Sequence, residues 1–135
     1  MSTLSTPRIL LVDDELVNLR VLRAVLKQAG YTDLVAIDDP HAVLAEHHRQ
    51  AADLVLLDLT MPRLDGYAVM KQLKEEAETT PPAVIVLTGH TDRETIDRVK
   101  EAGASAFLSK PFRTSDLLAT IREALKNPDS ESASV

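Results

Sequence analysis

The sequence predicts a doubly wound α/β domain built on a parallel sheet of five strands. Three observations predict it. Five short apolar runs alternate with segments of helical period, several of the runs are apolar at every position, and the connections are short. Strands that are apolar throughout are those covered on both faces, as in a parallel sheet. A strand–helix–strand alternation of this kind forces right-handed crossovers and places helices on both sides of the sheet.

The runs are Ile9–Val12, Leu34–Ile37, Leu54–Leu57, Val84–Leu87 and Ala106–Leu108, each rich in Val, Ile or Leu. After the first, Leu19, Leu22, Leu26 and Ala29 form one helical stripe, and Gly30 provides a stop. After the second, Asp39-Pro40 reads as an N-cap followed by proline at the first helical position. The third helix carries Tyr67, Met70 and Leu73, with Asp65-Gly66 read as its turn and start. The fourth opens with the capping-box pattern Thr91-Asp92-Arg93-Glu94, continues through Ile96 and Val99, and ends at Gly103. The fifth carries Leu117, Ile121 and Leu125, with Asp116 in the first turn, where it suits the helix dipole. Residues 1–126 therefore read as one domain. Asn127 to Val135 are small and polar and are expected to fray.

Composition narrows the function. There is no cysteine, which removes disulfides, thiolate nucleophiles and zinc–thiolate sites and agrees with a cytoplasmic location. No apolar run approaches the roughly 20 residues of a membrane-spanning helix, and Met1 to Pro7 lacks the charge and apolar core of a signal peptide. The net charge is -6, and the basic residues, such as Arg20, Arg23 and Lys27, are scattered along helices. Duplex binding is driven by phosphate neutralisation and needs a basic face, so direct nucleic-acid binding is not expected. His41, His47 and His48 fall in the second helix and read as surface residues, the adjacent pair pointing to different sides.

In an open α/β sheet ligands bind beyond the carboxyl ends of the strands. Those ends carry Asp13-Asp14, Asp58, Thr88 and Ser109-Lys110. Carboxylates gathered at one edge repel one another unless a cation joins them, and oxygen-only donors favour a hard ion such as Mg²⁺ or Mn²⁺. Lys110 offers a point charge and Thr88 a rotatable donor, which suits a phosphoryl group. An aspartate beside such a metal can attack phosphorus to form an acyl phosphate. Each residue also has a plain structural reading. Asp13-Asp14 could be a turn and cap, Thr88 an ordinary strand residue, Lys110 a solvated loop charge and Phe107 a core aromatic. Their joint placement at successive strand ends favours chemistry for the first three sites.

The strings LLVDDE (Leu10–Glu15), LVLLDLTMPRLDG (Leu54–Gly66), VIVLTG (Val84–Gly89) and FLSKPF (Phe107–Phe112) resemble the receiver domain of bacterial two-component response regulators. The resemblance covers about residues 8 to 126. It implies a flavodoxin-like fold with strand order 2-1-3-4-5, and it implies roles. Asp58 corresponds to the phosphoacceptor, Asp14 to the direct Mg²⁺ ligand, and Asp13 to a ligand acting through metal-bound water. The backbone carbonyl of Thr60 supplies a further ligand, and Lys110 pairs with the phosphoryl group before a cis Lys110–Pro111 bond. Thr88 and Phe107 correspond to the switch pair, and Thr60 and His90 to positions that tune phosphoryl lifetime. The donor implied is a sensor histidine kinase or phosphotransfer protein, and the target a partner protein or output domain. Two departures stand out. Phe107 has no hydroxyl where tyrosine is common, and Ser105-Ala106 replace an acidic pair that serves one mode of phosphorylation-dependent homodimerisation.

Three rivals share parts of this pattern. A Mg²⁺-dependent aspartyl phosphatase would carry a second acid two residues after the nucleophile, where Thr60 stands. A flavodoxin would present glycines and hydroxyls to a phosphate, where Asp13, Asp14 and Glu15 stand. A phosphorylation-independent pseudo-receiver would keep the fold without the chemistry, and the complete acid, threonine and lysine set speaks against it. On the reading of residues 127–135 as a tail, the chain is either a stand-alone regulator or the amino-terminal part of a longer one.

Overall fold

The computed structural model describes residues 6–59, 66–76, 81–89 and 93–126. Five strands, β1 (Arg8–Val12), β2 (Asp33–Ile37), β3 (Leu54–Asp58), β4 (Ala83–Thr88) and β5 (Ala106–Ser109), alternate with five helices. The helices are α1 (Leu16–Gln28), α2 (Val43–Arg49), α3 (Gly66–Glu76), α4 (Arg93–Glu101) and α5 (Thr114–Lys126). The strands form one parallel sheet in the order β2-β1-β3-β4-β5. This is the expected fold and strand order.

The alternation of side chains along a strand divides the core into two layers. Ile9, Leu11, Leu54, Leu56, Ile85 and Leu87 join Leu19, Leu22 and Leu26 of α1 and Leu117 and Ile121 of α5 on one face. Leu10, Val12, Val55, Leu57, Val84 and Val86 join Val43, Met70, Leu73 and Val99 on the other, under α2, α3 and α4. Each fully buried Leu or Ile contributes roughly 2 kcal/mol by leaving water. The central strands β1 and β3 are buried along their whole length, which is why their sequences show no polar alternation.

Helix ends follow their sequence signals with two adjustments. Gly30 and Gly103 adopt φ of 102° and 100°, the left-handed conformation that ends a helix and that a side chain would strain. Ala29, placed on the apolar stripe from sequence, is exposed at the C-cap of α1. The segment after β2 begins as a separate 3-10 turn, Pro40–Ala42, because Ala42 N–H bonds back to Asp39 O at 3.0 Å, three residues away. Asp39 still caps it, its Oδ1 accepting the His41 amide at 2.9 Å. The capping-box residues Thr91 and Asp92, together with Asp65, lie outside the described residues.

Arg8 fastens the amino-terminal edge of the sheet. It is only 6% exposed. Its guanidinium donates to Asp33 Oδ1 of β2 at 3.2 Å, to Glu46 Oε2 of α2 at 2.5 Å and to the Gln50 carbonyl at 3.1 Å. The structure also corrects the reading of His47, which is 2% exposed rather than on the surface. The turn of α2 that carries Val43 into the core carries His47 with it, four residues on. His48 is exposed, as expected of its neighbour.

Arg8→Ala is expected to destabilise the domain by about 2 kcal/mol. That is less than the roughly 3–5 kcal/mol for breaking a fully buried pair, because Asp33 and Glu46 still reach solvent. Urea unfolding measures it, and a loss under about 0.5 kcal/mol would show the clamp to be ornamental.

Candidate functional site

Parallel pairing sets the heights of the strand ends. Val12 lies beside Leu57, Asp58 beside Leu87, and Thr88 beside Ser109. Asp13 therefore leaves β1, Asp58 closes β3, Thr88 closes β4 and Lys110 follows β5 at one edge of the sheet. The backbone continues the pairing beyond the strands, with Asp13 N–H on Ile37 O at 3.1 Å, Leu59 N–H on Leu87 O at 2.9 Å and Lys110 N–H on Thr88 O at 2.8 Å. These bonds leave the loops little freedom where the polar side chains emerge. The Lys110–Pro111 peptide bond is cis, as the resemblance implies.

Asp58 is 3% exposed and Asp13 is 2% exposed. Lys110 Nζ donates to Asp58 Oδ2 at 2.8 Å, its own side chain remaining about a third exposed. Asp13 Oδ1 accepts the Glu15 amide at 2.9 Å, so the plain turn reading of Asp13 holds alongside its place in the site. Burial is the main force pushing the Asp13 carboxyl up to about 6. The Glu15 amide opposes that rise, and the hydrogen bond and negative charge of Asp58 reinforce it. The two buried acids thus share an excess of negative charge that one lysine does not cancel.

Asp14 behaves differently. It is exposed, and among the described residues no three carboxylates or histidines converge as a metal site. The donor chemistry nevertheless fits a hard divalent cation, since Asp13 and Asp58 offer buried oxygens whose mutual repulsion such an ion would relieve. Thr60 and His90 lie outside the described residues. Thr88 is fully buried. Phe107 is half-buried, pairs with Val86 across the β4–β5 ladder and packs against the layer under α2, α3 and α4. Strand periodicity puts Thr88, two residues past Val86, on that same face.

One participant escaped the sequence reading. Asn18, one turn into α1, bears on Asp13 by a hydrogen bond that favours its charged form, and donates to Glu15 Oε1 at 3.1 Å. Its signal was its spacing, four residues after Asp14 on a helix that starts at the site. Asn18 also lines a cavity of about 530 Å³ between α1 and α5, floored by Leu22, Leu87 and Leu117 and reaching Asp13 and Lys110. Beside it, Leu16, Val17 and Val21 are more than half exposed.

Comparison with known proteins agrees with this geometry. Residues 9–122 match the family described as response regulator receiver domain. The chain is 40% identical over 117 residues to the response regulator PleD of Caulobacter vibrioides, which covers 85% of this chain and 25% of that protein. It is 37% identical over 121 residues to the transcriptional regulatory protein PdtaR of Mycobacterium tuberculosis, covering 87% of this chain and 56% of that one. The chain thus spans between a quarter and about half of these curated relatives. Among solved structures it resembles the receiver domain of the sensor histidine kinase PA1611 of Pseudomonas aeruginosa, with a TM-score of 0.79 and 27% identity. That match covers 91% of this chain and all of the other, which holds a magnesium ion coordinated in its active-site cleft.

The raised Asp13 carboxyl makes a pH prediction. A folded acid that binds its proton more tightly than the unfolded chain stabilises the fold fully below pH 3.8, and that contribution is lost as pH rises through about 6. In EDTA, the stability of the wild type should fall by about 2 kcal/mol between pH 4 and pH 7 from this pair. Asp13→Asn, which keeps an oxygen for the Glu15 amide, should remove most of that fall. Parallel urea midpoints across the range in both proteins would refute the raised proton affinity of Asp13.

Proposed function

Because the chain belongs to the response regulator receiver domain family, a family of signalling domains, we propose that Asp58 accepts a phosphoryl group from the phosphohistidine of a sensor histidine kinase or phosphotransfer protein. What carries this reading is the buried Asp58 at the end of a central strand, held by Lys110 at 2.8 Å and facing a second buried acid. A carboxylate oxygen of Asp58 attacks phosphorus, the phosphorus–nitrogen bond breaks, and its electron pair stays with the donor imidazole. Hydrolysis of the resulting acyl phosphate releases inorganic phosphate and restores the carboxylate, so the domain catalyses its own loading and unloading.

Asp13, Asp14, Asp58 and the Thr60 carbonyl would hold Mg²⁺ or Mn²⁺, with Asp14 turning inward from its exposed position. The bound ion supplies charge neutralisation for the acidic cluster and for the incoming phosphoryl oxygens. Lys110 orients the Asp58 carboxylate and then serves the phosphoryl group as a cation. Such transfer depends mostly on positioning and charge, which these residues provide.

Thr88 is the switch hydroxyl of this proposal, and Phe107 its follower. A phosphoryl group on Asp58 draws the Thr88 hydroxyl toward it, and Phe107 moves into the space released on the same face. Thr60 and His90 tune the lifetime of the phosphoryl group. The changed surface then controls a partner protein or output domain, either as a separate chain or by phosphorylation-dependent homodimerisation. We take residues 1–126 as the receiver unit and the cytoplasm as its location. No helix among the described residues is long and apolar enough to cross a membrane.

Incubation with Mg²⁺ and acetyl phosphate should add one phosphoryl group to the intact mass, with EDTA or Asp58→Asn abolishing the gain. Label on Asp58→Asn at a single site would mean the acceptor lies elsewhere. No gain, together with no beryllofluoride binding, would favour a pseudo-receiver. Lys110→Ala should still load slowly while losing the amide-exchange change on the β4–β5 side, and a full response would remove lysine from the switch.

A further inference from the structure

Far from Asp58, at the amino-terminal edge of the sheet, the loop between α2 and β3 is tied down by side chains as well as by the backbone. His47 Nδ1 accepts the Ala52 amide at 3.0 Å. Gln50 O accepts from Arg8 Nε at 3.1 Å, Asp53 Oδ2 accepts the Arg8 amide at 2.8 Å, and Asp53 N–H donates to Arg8 O at 2.8 Å. We propose that this loop, residues 50–53, is a proton-released latch: neutral His47 holds it closed, and protonation of the ring opens it while the rest of the sheet stays folded.

The argument rests on which nitrogen accepts. A neutral imidazole has one donor nitrogen and one acceptor, so the Ala52 bond requires Nδ1 bare and the proton on Nε2. Imidazolium donates from both nitrogens. Two N–H groups would then face each other at about the distance of the present bond, and the Ala52 amide must leave. His47 is 2% exposed, so the charged ring gains little from water where it stands. Opening hydrates it.

The charged groups around the ring set the direction. On its own helix, His48 opposes a second charge, while Glu46 is engaged by Arg8 and Arg49. On the loop, Asp53 favours the charged ring. Arg8 of β1 is a fixed cation paired with Asp33 of β2. The charged Lys71, Lys74 and Glu75 of α3, the helix over the same layer, are exposed. Burial outweighs Asp53 and lowers the affinity of His47 for a proton below its ordinary 6.5. A base so depressed stabilises the closed form fully above pH 6.5 and loses that contribution as pH falls toward the folded value. The latch is therefore shut at neutral pH and released by acid. Because Arg8 holds both Gln50 and Asp53, release also loosens the clamp between β1, β2 and α2.

The test is NMR on the intact ¹⁵N-labelled chain between pH 7.5 and 5. It follows the His47 ring nitrogens and the exchange protection of the Ala52 amide relative to that of Leu56 in β3. The expected result is ring protonation accompanied by a drop of about tenfold in the relative protection of Ala52. In His47→Asn, whose Oδ1 takes the place of Nδ1 as a proton-independent acceptor, relative protection should be flat. Ring protonation with unchanged Ala52 protection would overturn the latch, as would an equal drop in His47→Asn. If that variant does not fold, the two wild-type titrations decide alone. Coincident midpoints support the proposal, whereas midpoints a pH unit apart, or a ring that stays neutral until global unfolding, end it.

Discussion

The Lys110–Asp58 ion pair at the carboxyl edge of the sheet is the contact around which the rest of the structure is arranged. It neutralises one of two acids that the fold forces together out of water. Asp13 is the other, and among the described residues no salt bridge matches its charge. The consequence is a site that is electrostatically incomplete, raised in proton affinity and receptive to a further cation. Stability is held down there so that binding can restore it, which is the general relation between strained functional sites and their ligands.

The sheet makes this arrangement unavoidable. Parallel strands of four to six residues, with two apolar layers packed on them, cannot slide without turning a buried side chain toward the other face. Register therefore holds Asp58 level with Leu87, and Thr88 level with Ser109, and the loops that follow emerge at one edge. The same register puts Phe107 beside Val86, on the face that strand periodicity gives Thr88. The carboxyl edge carries charge in excess, whereas the amino edge closes its polar groups on one another through Arg8, Asp33, Glu46 and Asp53. One end is built to bind and the other to hold.

α1 and α5 border the site on one side, and their packing leaves the cavity over Leu22, Leu87 and Leu117. Leu16, Val17 and Val21 extend its apolar character onto the exposed face of α1. This side of the molecule offers apolar surface next to Asp13 and Lys110. Receiver domains, as a family, interact with histidine kinases and output domains.

Most of the architecture was legible in the sequence because its causes are local. Strand runs, helix stripes, the glycines at positions 30 and 103 and the acids, threonine and lysine at the strand ends each announce themselves within a few residues. Tertiary structure alone decided what depends on distant neighbours. Asp13 and Asp14 are adjacent and chemically identical, yet one is buried against Asp58 and the other faces solvent, since the turn after β1 admits only one of them. His47 and His48 look alike in sequence, and only the packing of α2 buries the first. Arg8 is buried only because β2, α2 and the loop before β3 surround it. Burial and pairing are properties of the assembled sheet, summed over residues far apart in the chain, and no local pattern encodes them.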